Sequence, residues 1–207
     1  MKARYEDLDE YIADLRAEIA QSENCANHHY NLGLALLSKR DFVAAEESFL
    51  NAVRNSPRLA EAYVQLGGIC LQRGDLEGCL RYNEEAAQSR PKFPVAWSNI
   101  GFVHLQRGEP EKAIAALKKA LKWQPDFIQA MATMGAAFYM EGDYEACINI
   151  SNEAIKKEPS FGPAYNNLAL AYFELGDFAK SVKFADLAME NGFEVRPEFL
   201  KELEAHR

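Results

Sequence analysis

The sequence predicts an all-α array of antiparallel helix pairs, and three observations carry that prediction. Pro57, Pro91, Pro125 and Pro159 recur every 34 residues. Gly33, Gly67, Gly101 and Gly135 keep the same interval, with Ala169 in the next place, and so do Ala52, Ala86, Ala120, Ala154 and Ala188. Three residue types at three offsets sharing one period define a structural repeat the size of a helix pair.

Each unit divides into two helices for local reasons. In the first, apolar residues follow at offsets of three, four and seven, as in Trp97, Ile100, Gly101 and His104, or Tyr165, Leu168, Ala169 and Tyr172. Those offsets lie on one helical stripe. A break follows at Gly74-Asp75, Gly108-Glu109, Gly142-Asp143 and Gly176-Asp177, where glycine closes one helix in a left-handed conformation and the acid opens the next. The second helix carries stripes such as Ala45, Phe49 and Ala52 or Ala113, Leu117 and Ala120, and then meets a proline, which cannot continue it.

Such a unit has apolar surface on more than one side and is stable only when stacked on its neighbours. Small residues at Gly101 and Ala120 mark close helix approach, so Gly101→Leu is expected to cost about 1–3 kcal/mol through overpacking.

This run of an aromatic, Leu-Gly, Tyr, Ala, Phe and Pro resembles the tetratricopeptide repeat family. The resemblance covers residues 26–193 in five units, 26–59, 60–93, 94–127, 128–161 and 162–193, and implies a right-handed superhelical α-solenoid. The chain departs from the pattern at Arg40, which takes the turn glycine's place, at Cys79 for alanine, at Asn83 for the aromatic, and at Phe193 for the last proline.

The flanking segments read as helices that cover the ends of the array. In residues 1–25, which hold seven acids and three bases, Tyr5, Leu8, Ile12, Leu15 and Ile19 make one apolar seam. The seam is read as packing on the first unit, with docking of a second copy or a partner left open. In residues 194–207, Pro197 suits a helix start and Phe199, Leu200 and Leu203 face the last unit.

A formal charge of −8 opposes nucleic-acid binding, which needs a concentrated basic face. The acid-studded N-terminal segment fits neither a secretory signal nor a membrane span, and a soluble, cytoplasmic protein is expected. Cys25, Cys70, Cys79 and Cys147 form no C-x-x-C pair and are expected as reduced thiols. Cys70 and Cys79 are favoured as small buried hydrophobes over a redox pair. His28, His29, His104 and His206 lack metal-ligand spacing, and every glycine is accounted for by a turn or a close contact. No cofactor and no enzymatic activity are expected.

The resemblance implies that first helices line a concave groove that takes a peptide. Two places beyond each first-helix aromatic position come Asn31, Gln65, Asn99, Thr133 and Asn167. A carboxamide can pair with both backbone groups of an extended peptide, although a row of polar residues on a solvated face would read the same. Tyr30, Phe102, Tyr139 and Phe173 fall on the same face and would meet the ligand's side chains. The family's carboxylate clamp needs Lys, Arg and Asn. This chain has Tyr30 and Leu34 where the first repeat could present lysine and asparagine, and Val95 and Asn99 rather than Lys and Arg in the third, which disfavours a heat-shock co-chaperone. Lys39, Arg73 and Arg107 close first helices and read as dipole caps. The expectation is an adaptor or scaffold that binds a peptide segment of a protein partner. The alternative is a self-assembling scaffold using the convex face and the N-terminal helix.

Overall fold

The computed structural model describes residues 7–207, so Tyr5 of the predicted seam lies outside the described residues. Among the described residues there are helices and no strand. The chain divides into two compact units, one ending at Ala96 and the other spanning Trp97–Arg207.

The first unit holds α1 (Leu8–Gln21), α2 (Ala26–Ser38), α3 (Phe42–Asn55), α4 (Ala60–Gln72) and α5 (Leu76–Ser89). Ile12 and Leu15 of α1 enter one core with Leu32 and Leu36 of α2, Phe49 of α3 and Leu66 of α4. Burying side chains of this size contributes roughly 1.5–3 kcal/mol each. Most of the seam of α1 is therefore consumed inside its own unit.

The second unit holds α6 (Pro94–Gln106) from Trp97 onward, α7 (Pro110–Trp123), α8 (Ile128–Glu141), α9 (Tyr144–Lys157), α10 (Gly162–Glu174), α11 (Phe178–Glu190) and α12 (Pro197–Glu204). One core cluster joins α7 and α8 through Ala113, Leu117, Ala130 and Met134. Another joins α10, α11 and α12 through Ala169, Ala185, Phe199 and Leu203.

Turn chemistry agrees with the sequence pattern and explains its exceptions. Asp41, Asp75, Asp143 and Asp177 cap second helices by accepting from the backbone N–H three residues on, at 2.8–3.2 Å. Glu109 makes no such bond. Its carboxylate lies 2.6 Å from His104 Nδ1 and 3.1 Å from Lys112 Nζ instead, and both contacts hold it below the usual carboxylate range. Arg40 stands at φ 61°, the left-handed region that Gly74, Gly108, Gly142 and Gly176 occupy elsewhere.

Helix approach is governed by complementary size. A β-carbon on Gly101 would lie 2.5 Å from Leu117 Cγ, and one on Gly33 would lie 2.6 Å from the Phe49 ring. Where glycine gives way to Ala169, the matching second-helix residue is Ala185, and both are fully buried. Asn83, at the aromatic's position, is also fully buried, and its amide donates to the Cys79 carbonyl at 2.8 Å.

The two end helices keep the repeat register. Asp7 caps α1 through the Asp9 N–H, and it stands 34 residues before Asp41, which makes α1 a second helix by position. Pro197, Phe199 and Leu203 stand 34 residues after Pro163, Tyr165 and Ala169, which makes α12 a first helix by position.

Candidate functional site

The first helices of the first unit present a mixed polar and apolar face. Tyr30, Asn31 and Leu34 of α2 are half-buried, as are Val64 and Gln65 of α4, while Leu71 is exposed. The Tyr30 ring lies tilted against Phe49, with centroids 5.8 Å apart. Burial and the Glu61 carboxylate raise its phenol pKa, and a hydrogen bond with Gln65 works against that rise. Tyr30 and Gln65 thus tie the two neighbouring first helices together. The carboxamide of Asn31 has no hydrogen-bond partner among the described residues, so its donors and acceptor are free to meet a ligand.

In the second unit, Asn99 and Phe102 of α6 are half-buried on the corresponding face. The Tyr139 hydroxyl donates to Glu174 at 3.0 Å, joining α8 to α10. Burial, then that hydrogen bond and the charge behind it, push the Tyr139 phenol up to about 12. Thr133 bonds back to its own helix at the Gln129 carbonyl, 2.8 Å away.

Two expected ligand residues are occupied within the chain. Asn167 is 5% exposed, and its amide donates to the Ala132 carbonyl of α8 at 2.9 Å. It holds two first helices together, because Gly135 leaves room for its side chain beside α8. Phe173 packs edge-on against Phe178, Phe199 and His206, with centroids 5.3, 5.4 and 6.4 Å away. His206 in turn stacks on Phe178 at 3.7 Å. The C-terminal segment therefore covers the Phe173 end of this face.

Lys39 and Arg73 stand at the C-caps of first helices and also form ion pairs. Lys39 pairs with Asp9 of α1, and Arg73 pairs with Glu46 of α3 at 2.6 Å. These are bridges to the preceding second helix. At such exposure they contribute about 0–1 kcal/mol each.

The thiols are structural. Cys70, Cys79 and Cys147 are buried and free, and burial raises the pKa of each, to about 11 for Cys79 and about 12 for Cys147. Thiols held in the neutral form are poor nucleophiles. Among the described residues no group of three or more His, Cys, Asp or Glu is placed to hold a metal ion, and no helix is long and apolar enough to cross a membrane.

The recurring helix pair, its turn chemistry and its small-residue contacts agree with matches to the tetratricopeptide repeat family. Those matches span residues 7–60 and 30–94, 94–127, and 162–191. The chain belongs to the tetratricopeptide repeat family. That match also takes in α1, which the repeat register independently places as a second helix. Members are helical-repeat modules for protein–protein interaction, and this chain has their alpha-alpha superhelix fold. Among solved structures, it is similar to pilF of Pseudomonas aeruginosa, at 17% identity and a TM-score of 0.80 over 97% of this chain and 90% of that one. It is also similar to YrrB, a TPR protein with an unusual peptide-binding site, at 17% identity and a TM-score of 0.74 over 93% and 97% of the two chains. MamA matches at 21% identity and a TM-score of 0.69, over 85% and 98%. At these identities the likeness concerns the fold. No curated protein matches this chain by sequence.

Proposed function

We propose that the protein is a non-enzymatic adaptor that holds a peptide segment of a partner on its first-helix faces. The observation that carries this reading is the Tyr30, Asn31 and Gln65 group on α2 and α4. There an unpartnered carboxamide lies beside a braced aromatic ring and the half-buried Leu34 and Val64. Amides serve the backbone of an extended peptide whatever its sequence, and apolar neighbours serve its side chains. In the second unit, the half-buried Asn99 and Phe102 of α6 fall on the corresponding face, and Tyr139 of α8 is held there by Glu174. Asn167 and Phe173 are assigned to holding the array together, so the ligand face is shorter than the repeat pattern implies.

Self-assembly through α1 finds less support, because Ile12 and Leu15 are buried in the chain's own core. Asn31→Ala is expected to leave the fold intact and to weaken partner binding by about 0.5–1.5 kcal/mol. Affinity capture with wild type and the variant, followed by titration of the captured partner, checks this. Equal affinity would remove the amide from the account.

A further inference from the structure

In three repeats a first-helix residue packs with the second-helix residue 19 positions later, filling the space between the two helices. Tyr63 meets Tyr82 with centroids 6.5 Å apart, and Tyr165 stacks on Phe184 at 6.4 Å. Met131 and Ile150 share one core cluster. The corresponding residues of the first repeat, His29 and Ser48, are both polar and carry less bulk than the tyrosine pair. At that place a cleft of about 500 Å³ opens between α1, the turn after it, α2 and α3. A smaller lobe of about 250 Å³ shares Arg16, Ile19, His29 and Asn51 with it.

The floor of this cleft is chemically quiet. His29 donates through Nε2 to the Glu23 carbonyl at 2.7 Å, and the Ser48 hydroxyl donates to the Ala44 carbonyl at 2.8 Å. The remaining floor is formed by Ile19, Leu32 and Leu36. The rim differs. Arg54 donates to Asn51 Oδ1 at 3.0 Å, whereas Arg16 has no partner among the described residues. The larger cleft is lined mostly by polar side chains. In the smaller lobe, Arg16 stands beside an apolar wall of Ile19, Leu32, Leu36 and Ala44, at a place that aromatic rings fill in two other repeats, and this suits a flat apolar group carrying a carboxylate. Glu23 and Glu47 also line the two lobes, so one negative charge is accommodated and a multiply charged anion is opposed.

We propose that this cleft is a second binding site, distinct from the first-helix faces, for a singly charged aromatic carboxylate. Two sources share that chemistry: a free small molecule, and the C-terminal residue of another protein.

The test is amide-resolved NMR titration of the full chain with N-acetyl-phenylalanine, its primary amide, and 3-phenylpropionate. Saturable shifts at His29, Ser48 and Asn51 are expected with the acids, and roughly tenfold weaker binding for the amide and for Arg16→Gln. The double change His29→Tyr with Ser48→Tyr installs the pair that Tyr63 and Tyr82 form in the second repeat and is expected to abolish binding. Tenfold preference for N-acetyl-phenylalanine over 3-phenylpropionate assigns a chain terminus; equal or better binding of 3-phenylpropionate assigns a small molecule. The proposal is overturned if no saturable shift occurs, if acid and amide bind alike, or if Arg16→Gln binds as wild type. Arg16 is exposed, so that variant tests the idea even if the double change does not fold.

Discussion

Asn31 and Asn167 occupy the same place in their units, yet one carboxamide is unpartnered and the other bridges α10 to α8. Asn167→Ala is therefore expected to lower stability by about 1–2 kcal/mol through loss of the buried bond that ties α10 to α8, with the thermal midpoint as the readout. Register places both asparagines correctly but cannot say how near the adjacent first helix comes. That distance is set by Gly135, where a β-carbon would lie 2.8 Å from Asn167 Nδ2. Gly101→Leu should cost about 1–3 kcal/mol by the same reasoning, because Leu117 already occupies the space; an unchanged midpoint would contradict the contact. The thiols give a pH signature. Burial raises Cys147 from 9.0 to about 12, so the folded state favours the neutral thiol more than the unfolded chain does. Its contribution is complete below pH 9 and is lost as pH climbs toward 12. Urea midpoints measured across that range should fall less steeply in Cys147→Ala than in wild type.

At the scale of the element, Arg40 is the one described non-glycine residue with positive φ. The left-handed conformation costs an ordinary residue about 1–2 kcal/mol, part of which glycine's greater freedom in the unfolded chain offsets. Arg40→Gly should accordingly raise stability by about 0.5–1 kcal/mol in denaturant titration, and a loss would mean that the Arg40 side chain supports the turn. This position was legible in the sequence as a departure at the turn glycine. The bond between His104 and Glu109 was not, because both residues had other readings, a core stripe and a helix start. The register of α1 was readable from Asp7 and its 34-residue spacing to Asp41, which the apolar seam by itself does not reveal. Ion pairing of Lys39 and Arg73 was hidden too, since it depends on where α1 and α3 lie across from them.

Across the whole molecule, periodicity carried the architecture because each helix pair repeats one solution to burying its apolar faces, and proline, glycine and alanine mark its ends and its contacts. The ligand face was legible only in part. Position along a first helix indicates which side a residue is on, whereas Phe199 of α12 and His206 in the turn after it decide that Phe173 is covered. The cleft at His29 and Ser48 is the converse case, where a histidine and a serine leave open what aromatic pairs fill in two other repeats. The most direct test of the adaptor account is site-specific photo-crosslinking in lysate, with a reactive residue at Asn31 or Asn99 and controls at Glu84 and Lys118 on second helices. The account predicts that one partner is captured from the first-helix positions, with the crosslinks mapping to a single short segment of it. Capture from Glu84 or Lys118 alone would contradict it and place recognition on the second-helix side.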